Sequence, residues 1–200
     1  MKDAGVDIVM TCMDLNGVKT LAQEMERQGV GEVPVLHNDS YDADFIAANG
    51  DLFEGDIVQT SFRPFEADAG TSQLATFKDW MAKTNQPLSE IALQGWINAD
   101  LAYQGLKAAG PGFDRKSVID ATNHLTKFSA GGLITPIDWS RQHDAPTEDD
   151  PTTHGYAIEC RSLLRVKDHH FEMIGPADKA FTCFDPKDQS WAEPTHQSFD

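Results

Sequence analysis

The first part of the chain alternates between apolar runs and polar turns in the order of a parallel βαβ unit. Residues 6–13 form a nearly continuous apolar run, which predicts a buried strand, and the largely polar segment 14–17 predicts a turn. The apolar residues that follow at helical spacing are Val18, Leu21, Ala22 and Met25. A second apolar run at 33–37 enters a polar loop. This order predicts an α/β fold with a parallel sheet.

Further elements are predicted after this unit. Residues 43–49 predict a short helix that Gly50 ends, residues 56–62 predict a third strand, and residues 63–65 break the regular pattern. Three helices are then predicted, with apolar faces made of Leu74, Phe77 and Met81, of Ala92, Gly95, Trp96, Ala99, Tyr103 and Leu106, and of Val118, Ala121 and Leu125. Asp114 is placed to cap the third of these helices.

The last part of the chain predicts a hairpin. Residues 163–166 and 171–174 are apolar runs on either side of the polar turn 167–170. Cys160 and Cys183 bracket this hairpin, whereas Cys12 lies in the first predicted strand and is interpreted as a small buried apolar residue. The acidic tract 148–153 and the tail after Phe184 are predicted to be solvated loops.

Polar side chains follow the first two predicted strands, at segments 11–16 and 38–42. Ligands of open α/β sheets bind beyond the carboxyl ends of the strands, so these loops form the candidate site. The side chains there that suit a small polar ligand are Asp14, Asn16, Asn38, Asp39 and Tyr41. Helix capping and turn formation explain Asp14, Asn16 and Asp39 equally well, and Tyr41 can instead pack over the next helix.

Charge narrows the range of partners. The chain carries 32 acidic and 16 basic residues, for a net charge of −16. This balance argues against nucleic acid, which needs clustered Lys and Arg, and against an anionic membrane surface. No apolar stretch approaches the roughly 18 to 20 residues of a membrane span, and residues 1–7 lack the regions of a signal peptide.

A small α/β enzyme is the rival class of function. The candidate metal ligands in this case are His143, Asp144, His154, Glu159, His169 and His170. Adjacent histidines on a strand point to opposite sides, and neither HxH nor HExxH spacing is present. The nucleophile elbow GxSxG and the phosphate-binding patterns GxGxxG and GxxxxGK[ST] are also missing from the sequence, so neither catalysis nor a cofactor is predicted.

Several short segments resemble one known family. They are DAGVDIV at 3–9, QEMERQG at 23–29, VPV at 33–35, Tyr41-Asp42, ANG at 48–50, FEG at 53–55, ALQGW at 92–96 and FSAGGLITPID at 128–138. Their order and spacing over most of residues 3–175 resemble the second lobe of type I periplasmic binding proteins, in particular the leucine/isoleucine/valine-binding branch. A ligand-sensing receptor domain of the same fold is an alternative within this resemblance.

The resemblance implies a partial type I periplasmic-binding-protein fold and a domain organisation. Residues 1–63 would be part of lobe two, with its parallel βαβ sheet, and 64–128 would be helices of lobe one. Residues 129–175 would return to lobe two, with a strand at 131–138, and 176–200 would be a carboxyl-terminal tail. The chain would therefore correspond to the carboxyl-terminal half of the family pattern, with an amino-terminal lobe missing.

The resemblance also implies a function and site residues. The function is that of the substrate-binding component of an ABC transporter, periplasmic or at the cell surface, which captures a small solute for a permease. In the leucine-binding branch the first loop supplies an aromatic residue and the second loop supplies a Glu. In this chain Met13 or Asp14 lies at the first of these positions, and Asn38 or Asp39 lies at the second. The expected ligands therefore include amides and related metabolites besides branched-chain amino acids.

Two further implications concern Trp96 and the cysteines. Trp96 stands where the family often has an aromatic residue that faces the cleft from lobe one, although an indole at a helix start commonly packs in a core. Because the family works outside the cytoplasm, Cys160 and Cys183 are candidates for a disulfide across the predicted hairpin. Two unpaired thiols are the alternative.

Overall fold

The computed structural model describes residues 2–145, 147–149 and 159–184. The elements are β1 Val9–Thr11, α1 Leu15–Arg27, β2 Val35–His37, α2 Ala43–Phe53, β3 Ile57–Thr60, α3 Leu74–Lys83, α4 Glu90–Ala109, α5 Arg115–Thr122, β4 Glu159–Lys167, β5 His170–Met173 and β6 Thr182–Phe184. The predictions for residues 150–153 and for the tail after Phe184 lie outside the described residues.

The strands form one mixed sheet. Its order is β1-β2-β3-β4-β5, and β6 pairs with the first residues of β4. Strands β1, β2 and β3 are parallel, as the βαβ pattern predicts, whereas β4 runs antiparallel to both β3 and β5. The prediction of an α/β fold with a parallel unit is confirmed, and the antiparallel strands come from the hairpin after residue 159.

Polar caps begin the helices. Asp14 accepts a hydrogen bond from the Gly17 N–H at the start of α1, and Asp42 accepts one from the Phe45 N–H at the start of α2. Asp114 and Ser117 form a reciprocal capping box on α5, which confirms the predicted cap.

Helices α1 and α2 contact each other and cover one face of the sheet. This placement follows from the right-handed crossovers of consecutive βαβ units, which put successive helices on the same side. The apolar residues buried between these layers are Val18, Ala22, Ile46, Phe53, Val58, Leu164 and Val166. Within this layer the buried His37 Nε2 lies 2.8 Å from Asp56 Oδ2, and Asp56 Oδ1 accepts the Val35 N–H at 2.8 Å.

Helices α3, α4 and α5 pack beyond the carboxyl ends of the strands. Leu74, Phe77 and Leu93 are fully buried and belong to the same apolar core as Phe62 and Leu133. Helix α4 packs chiefly on α5. The core of the described residues is therefore continuous from the sheet to these helices.

Two predictions about secondary structure are wrong. Helix α2 does not end at Gly50 but continues to Phe53, because Gly50 is buried where a Cβ would lie 2.6 Å from the His169 Cα. Residues 131–138 do not form a strand. Gly131 and Gly132 have positive φ and form a 3-10 turn capped by Ser129, and only an isolated bridge joins Phe128 to Ile137.

The predicted hairpin is present as β4 and β5. Its two turn residues, Asp168 and His169, have φ of 48° and 66°, which suits a tight turn between twisted strands. His169 Nε2 lies 2.8 Å from Asp51 Oδ1 on α2, and this contact raises the pKa of His169. Cys160 and Cys183 are opposite each other in β4 and β6 and are joined by a disulfide.

Candidate functional site

The carboxyl ends of the three parallel strands meet at one edge of the sheet, and Asn38 connects them. Its Nδ2 donates to Cys12 Sγ at 3.0 Å, just after β1, and its Oδ1 accepts a hydrogen bond from the Gln59 amide of β3. The structure thus brings the first and second predicted loops together and adds β3 to them.

Cys12 is exposed, so its interpretation as a buried residue is wrong. Strand β1 is the edge of the sheet, and Thr11 occupies the buried position at its end. Successive side chains of a strand point to opposite faces, so Cys12 lies on the open side beside Asn38.

Asp14 and Asn16 lie at the start of α1 and are both exposed. One carboxylate oxygen of Asp14 accepts the Gly17 N–H at 2.8 Å, and the Asn16 carbonyl accepts the Thr20 hydroxyl at 2.9 Å. The capping role that the sequence left open for Asp14 is therefore present. Both side chains lie at the rim of the strand ends.

Tyr41 lies behind this rim and is only 5% exposed. Its hydroxyl donates to Glu66 Oε2 at 2.6 Å and accepts the Phe65 N–H at 2.7 Å. Burial raises the pKa of Tyr41 and that of Glu66, and the negative charge of Glu66 raises the pKa of Tyr41 further. Tyr41 therefore attaches the loop after β2 to the segment that leads from the sheet to α3.

Two more hydrogen bonds fix that segment in place. Lys78 Nζ on α3 donates to the Phe65 carbonyl at 2.6 Å, and the Arg63 N–H donates to the Leu133 carbonyl at 2.7 Å. The break that the sequence predicts at 63–65 is thus an irregular but well-bonded crossover.

Asp39 and Glu90 bring two carboxylates within electrostatic range of each other, from the loop after β2 and from the start of α4. Asp39 is exposed after β2, and Glu90 lies in the first turn of α4. Burial raises the pKa of Glu90, and the charge of Asp39 raises it further, whereas the Gln94 amide, which donates to Glu90 at 2.9 Å, opposes the shift. The two carboxylates therefore place negative charge between the loop after β2 and the start of α4.

A groove of about 270 Å³ lies between the end of β3 and α4. Its lining residues are Ser61, Phe62, Gln94, Ile97, Asn98 and Ile134. Hydroxyl and amide groups provide donors and acceptors there, and three apolar side chains provide a wall. None of these side chains carries a charge, so the nearby charge comes from Asp39 and Glu90.

Gln94 and Asn98 were missed by sequence reasoning. Together with Glu90 they recur every four residues on α4, which places them along one side of the helix. This polar stripe on a helix with few charged residues was the available signal.

Trp96 points away from that stripe. Its Nε1 donates to Gln73 Oε1 at 3.2 Å, and its ring meets the Phe77 ring edge-on at 5.7 Å between centroids. The structure thus places Trp96 in the packing between α3 and α4, apart from the other five candidates.

Other features of the described residues do not point to a different site of the same kind. A groove of about 450 Å³ lies beside α4 and residues 124–131, away from the strand ends, and includes Asp100 and Lys127. Within the described ranges, no three His, Cys, Asp or Glu side chains are grouped to hold a metal ion. No helix in those ranges is long and apolar enough to cross a membrane.

The fold is similar to that of several solved solute-binding proteins. The leucine-binding protein LivK of Thermotoga maritima is 15% identical, with a TM-score of 0.63 over 91% of this chain and 45% of that chain. The branched-chain amino acid ABC transporter protein of Thermus thermophilus with bound valine is 21% identical, with a TM-score of 0.60 over 88% and 46%. The solute-binding protein of R. palustris in complex with benzoate is 18% identical, with a TM-score of 0.57 over 87% and 45%.

These similarities support the predicted fold over part of its length. The chain spans less than half the length of each of those structures. No curated protein matches the sequence. The family model of the periplasmic binding proteins matches residues 1–158. The chain therefore belongs to the periplasmic binding protein family, as the sequence segments at 3–138 predicted.

Proposed function

We propose that this chain is the carboxyl-terminal half of the solute-binding component of an ABC transporter. The observation that carries the proposal is the groove that Ser61, just after β3, shares with Gln94 and Asn98 of α4. Asn38 and Gln59 are hydrogen-bonded to each other at the same strand ends. Parallel α/β sheets bind ligands at this edge, and a small cleft with few polar groups and an apolar wall is typical of a small-molecule site.

The groups in the cleft suit the cationic and hydrocarbon parts of a solute. Amide and hydroxyl groups of this half hydrogen-bond to the solute, Asp39 and Glu90 attract a cationic group such as an ammonium, and Phe62, Ile97 and Ile134 contact hydrocarbon. An anionic group of the solute would be bound by the other lobe. A branched-chain amino acid, an amide or a related metabolite meets these conditions.

The six residues proposed from the sequence then have different roles. Asn38 and Asp39 contact the solute, whereas Asp14 and Asn16 lie at the rim and contact its outer end. Tyr41 and Trp96 support the cleft from behind, through Glu66 and Gln73 respectively. Ser61, Gln94 and Asn98 join the proposed contact residues.

Binding is proposed to act by changing a conformational equilibrium. A solute held by both lobes lowers the free energy of the closed arrangement relative to the open one, and the permease recognises the closed arrangement. This function belongs in the periplasm or at the cell surface, where the disulfide between Cys160 and Cys183 is stable.

A thermal-shift screen tests the proposal. The native full-length protein is melted with a panel of amino acids, amides and aromatic carboxylates, and each sample is then analysed by mass spectrometry. A concentration-dependent rise in Tm with a chemically unchanged ligand is expected, because a ligand that binds only the folded state stabilises it. Steady conversion of a ligand to product would contradict the proposal in favour of an enzyme.

A further inference from the structure

Three separate segments of the chain meet at Arg63, in the crossover that follows β3. Its backbone N–H donates to the Leu133 carbonyl at 2.7 Å, and its Nη1 donates to the Asp68 carbonyl at 2.8 Å. The Arg63 guanidinium also lies 5.9 Å from the centre of the Phe181 ring, and the Asp68 N–H donates to the Ala177 carbonyl at 3.0 Å. The crossover is therefore bonded both to the turn around Leu133 and to the segment that precedes β6.

That last segment, residues 176–184, forms a strap that lies against the crossover. The buried Ser162 of β4 connects the two, because its Oγ lies within hydrogen-bond distance of the Phe62 carbonyl and of the Ala180 carbonyl. Ala180 is itself only 3% exposed, so the middle of the strap is packed against the protein. The strap thus contacts the crossover along most of its length.

A disulfide fixes the end of the strap to the sheet. Strand β6 pairs with β4 over three residue pairs, and its three residues are exposed. So short a ladder with no buried side chain adds little stability of its own. The bond between Cys183 of β6 and the buried Cys160 of β4 is therefore the strongest attachment at this end of the strap.

The strap and the crossover lie directly behind one wall of the proposed solute groove. Phe62 and Ile134 line that groove, and they are the chain neighbours of Arg63 and Leu133, which are hydrogen-bonded to each other. Loss of the strap would free this wall to move. A mobile wall must be ordered when a solute binds, and the entropy lost in that ordering opposes binding.

We propose that the disulfide between Cys160 and Cys183 is a redox-sensitive device that controls this groove. Its reduction releases the strap, loosens the crossover at Arg63 and weakens binding of the solute. The last of these steps rests on the proposed function, whereas the first two concern the fold alone.

The reductant in this proposal is a dithiol that carries out thiol–disulfide exchange. Its thiolate attacks Cys183, which is exposed, and the bond to Cys160 breaks with Cys160 leaving as the thiolate. The second thiol of the reductant then displaces Cys183 from the mixed disulfide. The two electrons and two protons of the dithiol end on the cysteines, and the reductant ends as a disulfide.

Hydrogen exchange with mass spectrometry tests the release of the strap without any ligand. The native full-length protein is compared in its oxidised form and in dithiothreitol. We expect the amides of residues 63–68 to exchange about tenfold faster after reduction, because the Asp68 N–H loses its acceptor in the strap. Helix α5 is the internal reference, since it packs on α4 and has no buried residue.

The control for the reductant is the double variant Cys160→Ser and Cys183→Ser. Its residues 63–68 should exchange at the rate of the reduced wild type, with or without dithiothreitol. Unchanged exchange at 63–68 in the reduced wild type would overturn the proposal. Equal acceleration in α5 would also overturn it, since the disulfide would then only stabilise the fold as a whole.

Calorimetric titration with L-leucine, L-valine and benzoate tests the effect on the groove. For each compound that binds, we expect Kd to be about 3- to 10-fold higher in the cysteine double variant than in the wild type. Arg63→Gln should raise Kd by a similar factor, and its combination with the cysteine variant should add little, because Arg63 carries the contact between strap and crossover. Arg27→Gln is the matched control, since Arg27 is exposed on α1 and pairs with Glu24.

The two measurements separate this inference from the proposed function. Faster exchange at 63–68 with an unchanged Kd would overturn the control of the groove and retain solute binding. Failure of the whole thermal-shift panel to bind would contradict the proposed function, and the exchange rates would still decide whether the disulfide holds the crossover.

Discussion

The hydroxyl of Tyr41 donates a hydrogen bond to the carboxylate of Glu66 across 2.6 Å, between the loop after β2 and the crossover to α3. Because the same hydroxyl accepts the Phe65 N–H, one buried side chain satisfies two polar groups of the crossover. The strand ends and the helices that form the two sides of the cleft are thus fixed to each other at this point.

Replacement of Tyr41 by Phe removes both hydrogen bonds and leaves the Phe65 N–H and the Glu66 carboxylate without them. We expect the free energy of unfolding to fall by about 1 to 3 kcal/mol, the usual cost of an unpaired buried polar group. Tyr103→Phe is the control, because Tyr103 is 60% exposed. It should change stability by less than about 0.5 kcal/mol. Equal losses in urea denaturation of the two variants would show that the Tyr41 hydroxyl contributes nothing.

Glu90 gives a stability change with a definite pH dependence. Its folded-state pKa is raised above the ordinary value of 4.5, so the folded protein binds the proton more tightly than the unfolded chain does. The favourable contribution is full below pH 4.5 and is lost as pH rises through the folded pKa. We therefore expect Glu90→Gln, which stays neutral, to be more stable than the wild type at pH 7 and to lose that advantage at pH 4.

Paired melts of the two proteins at these pH values measure the difference. Glu24→Gln is the control, because the Arg27 and Gln28 side chains lower the pKa of Glu24 and so reverse the expected sign. A Glu90→Gln advantage that is the same at both pH values would contradict the assignment.

Substitution by Ala should change stability in opposite directions at two helical glycines. A Cβ on Gly50 would lie 2.6 Å from the His169 Cα, so Gly50→Ala must move the hairpin and should cost about 1 to 3 kcal/mol. Nothing lies within 4 Å of a Cβ on Gly95, so Gly95→Ala should instead add about 0.5 to 1 kcal/mol through helix propensity. Thermal melts of the two variants check the signs, and a Gly50→Ala variant at least as stable as the wild type would refute this account of Gly50.

The disulfide between Cys160 and Cys183 closes a loop with a sequence separation of 23 residues. Replacement of both cysteines by Ser should lower the free energy of unfolding by about 3 kcal/mol in the chain-entropy model. Denaturation should give the same free energy of unfolding for the variant and for the reduced wild type. Peptide mapping that finds Cys12 in a crosslink would refute the pairing.

Local chemistry made much of this fold predictable. The βαβ unit, the crossover at 63–65, the Asp114 cap and the hairpin all depend on patterns within a few residues, and each is present. Gly50 could not be predicted in the same way, because its reason is the contact with His169, which is distant in sequence. The open position of Cys12 likewise depends on β1 being the sheet edge, which only the assembled strand order shows.

The candidate site was predictable on the strand side and not on the helix side. The carboxyl ends of parallel strands must meet, so Asn38 and Asp39 followed from the strand pattern. The packing of Leu93 and Phe77 decides which side of α4 faces those ends. This rotation of α4 about its axis cannot be read from the local sequence. Trp96 was proposed from the family resemblance and packs on Phe77, whereas Gln94 and Asn98 line the groove.

The central claim is that a solute lies between the strand ends and α4, and a calorimetric titration tests it most directly. The ligand found by the thermal-shift screen is titrated into the full-length wild type, into an Asp39→Asn and Gln94→Ala double variant, and into the capping control Asp114→Asn. The account predicts that Kd rises by about 10- to 100-fold in the double variant, since a hydrogen bond to a charged group contributes about 1.5 to 3 kcal/mol. The control should bind as the wild type does. An unchanged Kd in the double variant would contradict the account.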